Sequence, residues 1–165
     1  MKMVKRRIAK LKSGELDVGD CTLKGATVFL RELRARGVRL YLVSGTDQAD
    51  TRAEAEALGY AELFDGGIEG ALGDVREFSK KMVIERIMRE HRLEGAELAV
   101  FGDGPVEMRE CRKRGGLAVG VASNEVRRFG LNLEKRARLV TAGAHLIAPD
   151  FSQGKTLLSL LFGNG

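Results

Sequence analysis

Tryptophan is absent from these 165 residues, tyrosine occurs twice, and phenylalanine seven times. The core is therefore expected to be mostly aliphatic, and the basic residues show no aromatic interleaving of the kind single-strand binders use. The two cysteines, Cys21 and Cys111, lie far apart without metal-type spacing, which excludes a disulfide framework and predicts reduced thiols. No apolar run reaches the ~18 residues of a membrane span. The basic start "MKMVKRRIAKLK" lacks the apolar stretch of about 7–15 residues that a signal peptide needs, so the expected location is cytoplasmic, without a membrane partner.

Proline is nearly missing too. Pro105 and Pro149 are the two present, and both fall in predicted turns. Hydrophobic residues make up 44% and charged residues 31%, an ordinary balance for one globular domain. The net charge of +5 would permit an anionic partner. Yet Arg and Lys are interspersed with Glu along helices, as in "FLRELRARG", which reads as a solvated face and argues against nucleic acid.

What is present is rhythm. "ATVFLRELRAR" has helical spacing and stops at Gly37; "VRLYLV" reads as a strand, and "TDQADTRAEAEALG" as a helix opened by Thr46 or Asp47. "YAELF" reads as a weak edge strand and "FDGGIEGALGD" as a Gly-rich loop. Helix "SKKMVIERIMREHRL", strand "LAVFG", helix "VEMRECRKRG", strand "LAVGV", helix "EVRRFGLNLEKRARLVTAG" and strand "HLIA" complete the order. This alternation predicts an α/β domain with right-handed crossovers and a mainly parallel sheet, a three-layer Rossmann-like arrangement. Residues 1–24 depart from it, reading as a helix and a polar turn, and 25–165 form the expected core.

Chemistry-bearing residues gather at predicted strand ends, where open α/β sheets bind ligands. Ser44 and Gly45 in "YLVSGTD" suit a phosphate oxygen beside a helix start, though a plain helix cap needs the same residues. Lys80 opens a helix, where the dipole disfavours a cation unless its amine meets an anion; Lys81 competes for that role. "GDGPVE" places Asp103 on a turn and Glu107 one helical turn later. Other candidates fail. "GKT" at 154–156 mimics a P-loop end, but Pro149 stands where its glycine belongs; His91 and His145 lack ligand partners, and Cys111 reads as a packed residue.

Over roughly residues 25 to 150 this ordered set resembles the haloacid dehalogenase superfamily, whose members are mostly Mg²⁺-dependent phosphatases. Ser44 matches its second motif, Lys80 its third, and "GDGPVE" its fourth, Gly-Asp-x-x-x-Asp, with Glu107 where Asp is more usual. The resemblance implies that Ser44, Gly45 and Lys80 hold a phosphoryl group, that Asp103 and Glu107 anchor Mg²⁺, and that Lys80 and Asp103 are catalytic. It implies a small phosphorylated metabolite as substrate. The family's first motif, a strand ending in Asp-x-Asp that supplies the nucleophile, is missing: no Asp-x-Asp occurs, and Asp17 and Asp20 in "ELDVGDCTL" read as a turn.

The expected chain is thus the carboxyl-terminal core of such a phosphatase. Residues 1–24 would be a remnant of a cap or linker, and the central first strand would be missing. A longer polypeptide or a strand-exchanged second copy would supply that strand. Two acidic ligands make only a weak Mg²⁺ site, and little turnover is expected. The alternative is a non-catalytic anion- or metal-binding module of the same fold.

Overall fold

The structure is a computed structural model that describes residues 2–71 and 79–163. It divides into two compact units, residues 1–78 with 151–165 and residues 79–150.

In the first unit, α1 (Lys2–Ser13) and the short α2 (Val18–Cys21) precede α3 (Ala26–Ala35), β1 (Tyr41–Asp47), α4 (Gln48–Ala57) and β2 (Gly67–Ala71); α8 (Gly154–Phe162) closes it. The Asp17 carboxylate accepts from the Gly19 N–H at 2.7 Å and caps α2, which accounts for the polar turn by local geometry. Helix α3 turns Phe29 and Leu33 inward, where Phe29 stacks on Phe151 at 5.1 Å between centroids. Strands β1 and β2 pair in parallel, Tyr41 opposite Gly67 through Val43 opposite Glu69.

Two expectations for this unit are corrected. "YAELF" is a 3₁₀ turn over Ala61–Leu63, not a strand, and the strand lies in the Gly-rich segment read as a loop. Glycine weakens a strand and hides the usual signal, but Gly70 is there for space. A Cβ on it would come within 2.6 Å of Gln48 Cα and 2.7 Å of the Thr46 carbonyl. The Gln48 side chain then bridges β2, donating to the Ile68 carbonyl at 2.6 Å and accepting from the Gly70 N–H.

The second unit runs α5 (Lys80–His91), β3 (Ala99–Gly102), α6 (Pro105–Lys113), β4 (Leu117–Val121), α7 (Leu133–Thr141) and β5 (Leu146–Ala148). Its sheet has the order β3-β4-β5, all parallel. Met108, Cys111, Ala118, Ala122 and Leu139 are fully buried and form its core. Burial pushes the Cys111 thiol pKa up, so it is a packed, un-ionised residue, as read from the sequence.

The predicted helix over 125–143 begins only at Leu133. Arg128 (φ 61°) and Gly130 (φ 79°) break the helical path, and the Asn132 carboxamide caps α7 by accepting from the Lys135 N–H at 2.9 Å. Among the described residues no helix is long and apolar enough to cross a membrane.

Gly70→Ala is expected to destabilise the chain by about 1–3 kcal/mol, because the obstructing atoms are backbone and cannot move aside cheaply. Urea unfolding checks this; an unchanged midpoint would contradict the close approach.

Candidate active site

In the first unit, Ser44 and Gly45 occupy an irregularity in β1. Pairing with β2 is regular up to Val43 and resumes at Asp47 opposite Ala71, so four residues of β1 advance against two of β2. This bulge lifts Ser44, Gly45 and Thr46 out of the ladder, a placement typical of strand ends near functional sites. The Ser44 hydroxyl accepts from the Thr46 N–H at 3.1 Å, and Gly45 is exposed. Asp47 is the residue that caps α4, accepting from Ala49 and Asp50. A bare phosphate-ready helix start directly after Ser44 is therefore not what forms.

In the second unit the turn Gly102-Asp103-Gly104 carries the chain from β3 into α6, with Pro105 at the first helical position. Glu107 folds back over this turn: a Cβ on Gly102 would lie 3.1 Å from Glu107 Cβ, and one on Gly104 would lie 3.2 Å from Glu107 Cδ. The two glycines make room for that carboxylate. Glu107 is buried, and the Lys80 ammonium donates to its Oε1. Ser79 caps α5 by accepting from the Met82 N–H at 3.2 Å and so sets Lys80 at the helix start. Lys81 reaches the exposed Glu85 at 3.9 Å. Lys80, then, is the lysine that meets an anion.

Asp103 is open, its side chain 63% exposed. It has a partner the sequence reading did not single out. Lys135, buried to 4% side-chain exposure in the first turn of α7, extends its ammonium to Asp103 Oδ2 at 3.5 Å and Glu125 Oε1 at 2.9 Å. That hydrogen bond holds the Glu125 carboxyl below the usual carboxylate range. The signal that could have found Lys135 is the one used for Lys80, a cation in the first turn of a helix. Reading the helix as starting at Glu125 placed Lys135 mid-helix and concealed it.

Mg²⁺ asks more than these donors supply. A resident ion wants several carboxylate or carbonyl oxygens in near-octahedral order. Asp103 provides one open carboxylate, Glu107 is held by Lys80, and among the described residues no three His, Cys, Asp or Glu side chains stand together as a metal group. The residues present do not by themselves fit a resident Mg²⁺.

A family model described as haloacid dehalogenase-like hydrolase matches residues 6–128. The chain belongs to that family. Solved structures similar to it share its fold. One is a predicted phosphatase from Clostridium acetobutylicum, 20% identical with a TM-score of 0.66, over 82% of this chain and 59% of that one. A haloacid dehalogenase-like protein of unknown function from Agrobacterium tumefaciens is 16% identical with a TM-score of 0.68, over 84% and 60%. A beta-phosphoglucomutase from Clostridium difficile is 14% identical with a TM-score of 0.63, over 93% and 61%. Among curated proteins, the bifunctional purine biosynthesis protein PurH of Rhizobium johnstonii is 33% identical over 120 residues, 65% of this chain and 21% of that protein. The chain thus spans about a fifth of that relative and under two thirds of the structural ones.

Lys80→Met is expected to cost about 1–2 kcal/mol, since it leaves the buried Glu107 carboxylate without its cation. Lys81→Met should stay within about 0.5 kcal/mol. Adding Glu107→Leu to Lys80→Met should recover most of the loss. Thermal melts of the three variants check the pairing, and equal losses from Lys80 and Lys81 would contradict it.

Proposed function

We propose that this chain is the phosphoryl-handling part of a haloacid dehalogenase-type phosphatase acting on a small phosphorylated metabolite. The observation that carries the reading is the Lys80–Glu107 pair beside the open carboxylate of Asp103, in a chain of that family. Lys80 sits at the mouth of the turn with its ammonium shared by one carboxylate, so an arriving phosphoryl oxygen can take the remaining donors. Ser44 and Gly45, in the β1 bulge, offer a hydroxyl and a backbone without side-chain obstruction to a phosphoryl oxygen. Asp103 and Glu107 are the acids proposed to meet Mg²⁺, and Asp103, with its side chain 63% exposed, is the more accessible of the two.

A phosphate dianion repels a carboxylate nucleophile, so its charge must be neutralised before attack. Lys80 supplies part of that neutralisation. Covalent phosphoryl transfer also needs an aspartate nucleophile, and none stands in an Asp-x-Asp pair within these residues. We propose that the nucleophile strand comes from polypeptide beyond them or from a second copy. Two edges suit such a strand: among the described residues β1 pairs with β2, and β3 ends the order β3-β4-β5. A binding module without turnover is the second reading, favoured by the absence of a three-acid group among the described residues.

The test is aryl phosphate hydrolysis by the purified chain with and without Mg²⁺, together with thermal melts in inorganic phosphate. Turnover is expected to be no greater than that of Asp103→Ala. Phosphate at ten times its Kd should stabilise the wild type by about 1.4 kcal/mol, and Lys80→Met should lose that gain. Mg²⁺-dependent hydrolysis abolished by Asp103→Ala would place a nucleophile within the chain, with Asp17 and Asp20 the next residues to replace. Equal phosphate stabilisation of Lys80→Met would overturn the role of Lys80.

A further inference from the structure

Gly70 is buried, and a buried backbone N–H must find an acceptor. In a regular parallel pair the facing strand supplies it, one residue bonding the two neighbours of the residue opposite. Here β1 has left register. Ser44, Gly45 and Thr46 stand against Gly70 alone, between Val43 opposite Glu69 and Asp47 opposite Ala71. The side chain of Gln48 takes the strand's place. Its Oε1 accepts from the Gly70 N–H, and its Nε2 donates to the Ile68 carbonyl at 2.6 Å. One carboxamide thus serves both groups that flank Glu69, as a backbone residue would.

That exchange decides what the bulge is free to do. The Thr46 carbonyl lies 2.7 Å from where a Cβ on Gly70 would be, so it is within reach of this part of β2 if Gln48 lets go. With Gln48 in place it is engaged elsewhere: the buried Thr51 hydroxyl lies 3.2 Å from the Thr46 carbonyl and 2.9 Å from that of Asp47. The Thr46 N–H donates to Ser44 Oγ at 3.1 Å. With that lone pair occupied, the Ser44 hydroxyl turns its hydrogen away from Thr46, and among the described residues the hydrogen meets no acceptor. Ser44 is set as a donor, which is what a phosphoryl oxygen requires.

We propose that Gln48 is a positioning residue for the phosphoryl-binding bulge. By taking the Ile68 carbonyl and the Gly70 N–H itself, it keeps Thr46 bonded to Ser44 and the Ser44 hydroxyl aimed as a donor. The inference rests on the reading of Ser44 as a phosphoryl contact and adds the residue that maintains that contact. Without the carboxamide, the Gly70 N–H draws a carbonyl of the bulge toward β2, Thr46 turns, and Ser44 loses its orientation. Gln48 itself touches no ligand. Its influence on phosphate passes through Ser44, which separates it from a residue that only stabilises the fold.

The experiment titrates inorganic phosphate into the full 165-residue chain by calorimetry, in a double-mutant cycle of Gln48→Leu and Ser44→Ala. Each single variant should bind phosphate about tenfold more weakly than wild type, the scale of one hydrogen bond to a charged group. The double variant should bind no more weakly than Ser44→Ala, because Gln48 then has no hydroxyl left to aim. Wild-type affinity in Gln48→Leu, beside a loss in Ser44→Ala, overturns the role of Gln48 and leaves Ser44 as the contact. Additive losses, about a hundredfold in the double variant, also overturn it, since a general loosening of the fold does not depend on Ser44. Wild-type affinity in Ser44→Ala, or no phosphate binding by the wild type, overturns the reading of Ser44 and the proposal together. If Gln48→Leu does not fold, Gln48→Asn carries the same cycle, its carboxamide one methylene short of both β2 groups. Unchanged affinity in that variant overturns the proposal.

Discussion

A carboxylate shielded from water needs a cation, and Glu107 has one in Lys80. Much of the second unit's candidate site follows from that requirement. The acid can fold back over the β3–α6 turn only because Gly102 and Gly104 have no side chains in its way. The lysine can reach it only because Ser79 starts α5 at Lys80 and not one residue later. The pair links the first turn of α5 to the first turn of α6, and it leaves Asp103 as the exposed acid of the motif.

The same rule governs the second ammonium. Lys135 is more deeply buried than Lys80, and its two partners are more exposed than Glu107. The two acids of "GDGPVE" thus differ in kind. Glu107 is a sheltered anion served by a partly exposed lysine, whereas Asp103 is an open anion serving a sheltered lysine. This difference explains why a sequence with two well-spaced carboxylates does not, in these residues alone, make a strong divalent-cation site. Both acids are present, and both already face a positive charge.

Neighbouring β-strand logic shapes the first unit. A parallel pair normally advances residue for residue, and β1 breaks this by placing Ser44, Gly45 and Thr46 in a bulge. Gln48 stitches the bulge to β2 through both ends of its carboxamide, and Gly70 permits the approach. Within the bulge the Ser44 hydroxyl accepts from the Thr46 N–H.

Helices α3, α5 and α6, strands β1, β3 and β4, and the family itself were legible from residue order, because periodicity and turn chemistry act over a few neighbours. The pairing of Lys80 rather than Lys81 was not, since adjacent residues carry identical local signals and only α6 distinguishes them. Strand β2 was hidden because it is glycine-rich, and its Gly70 answers to Thr46 and Gln48 where β1 passes into α4. Lys135 was hidden because its helix begins eight residues later than "EVRRFGLNLEKRARLVTAG" suggests, where Arg128 and Gly130 take left-handed conformations. By itself, then, the sequence determined the alternating architecture and the family. Only the tertiary structure decided which charge meets which, because ion pairing depends on distance and burial across elements far apart in the chain.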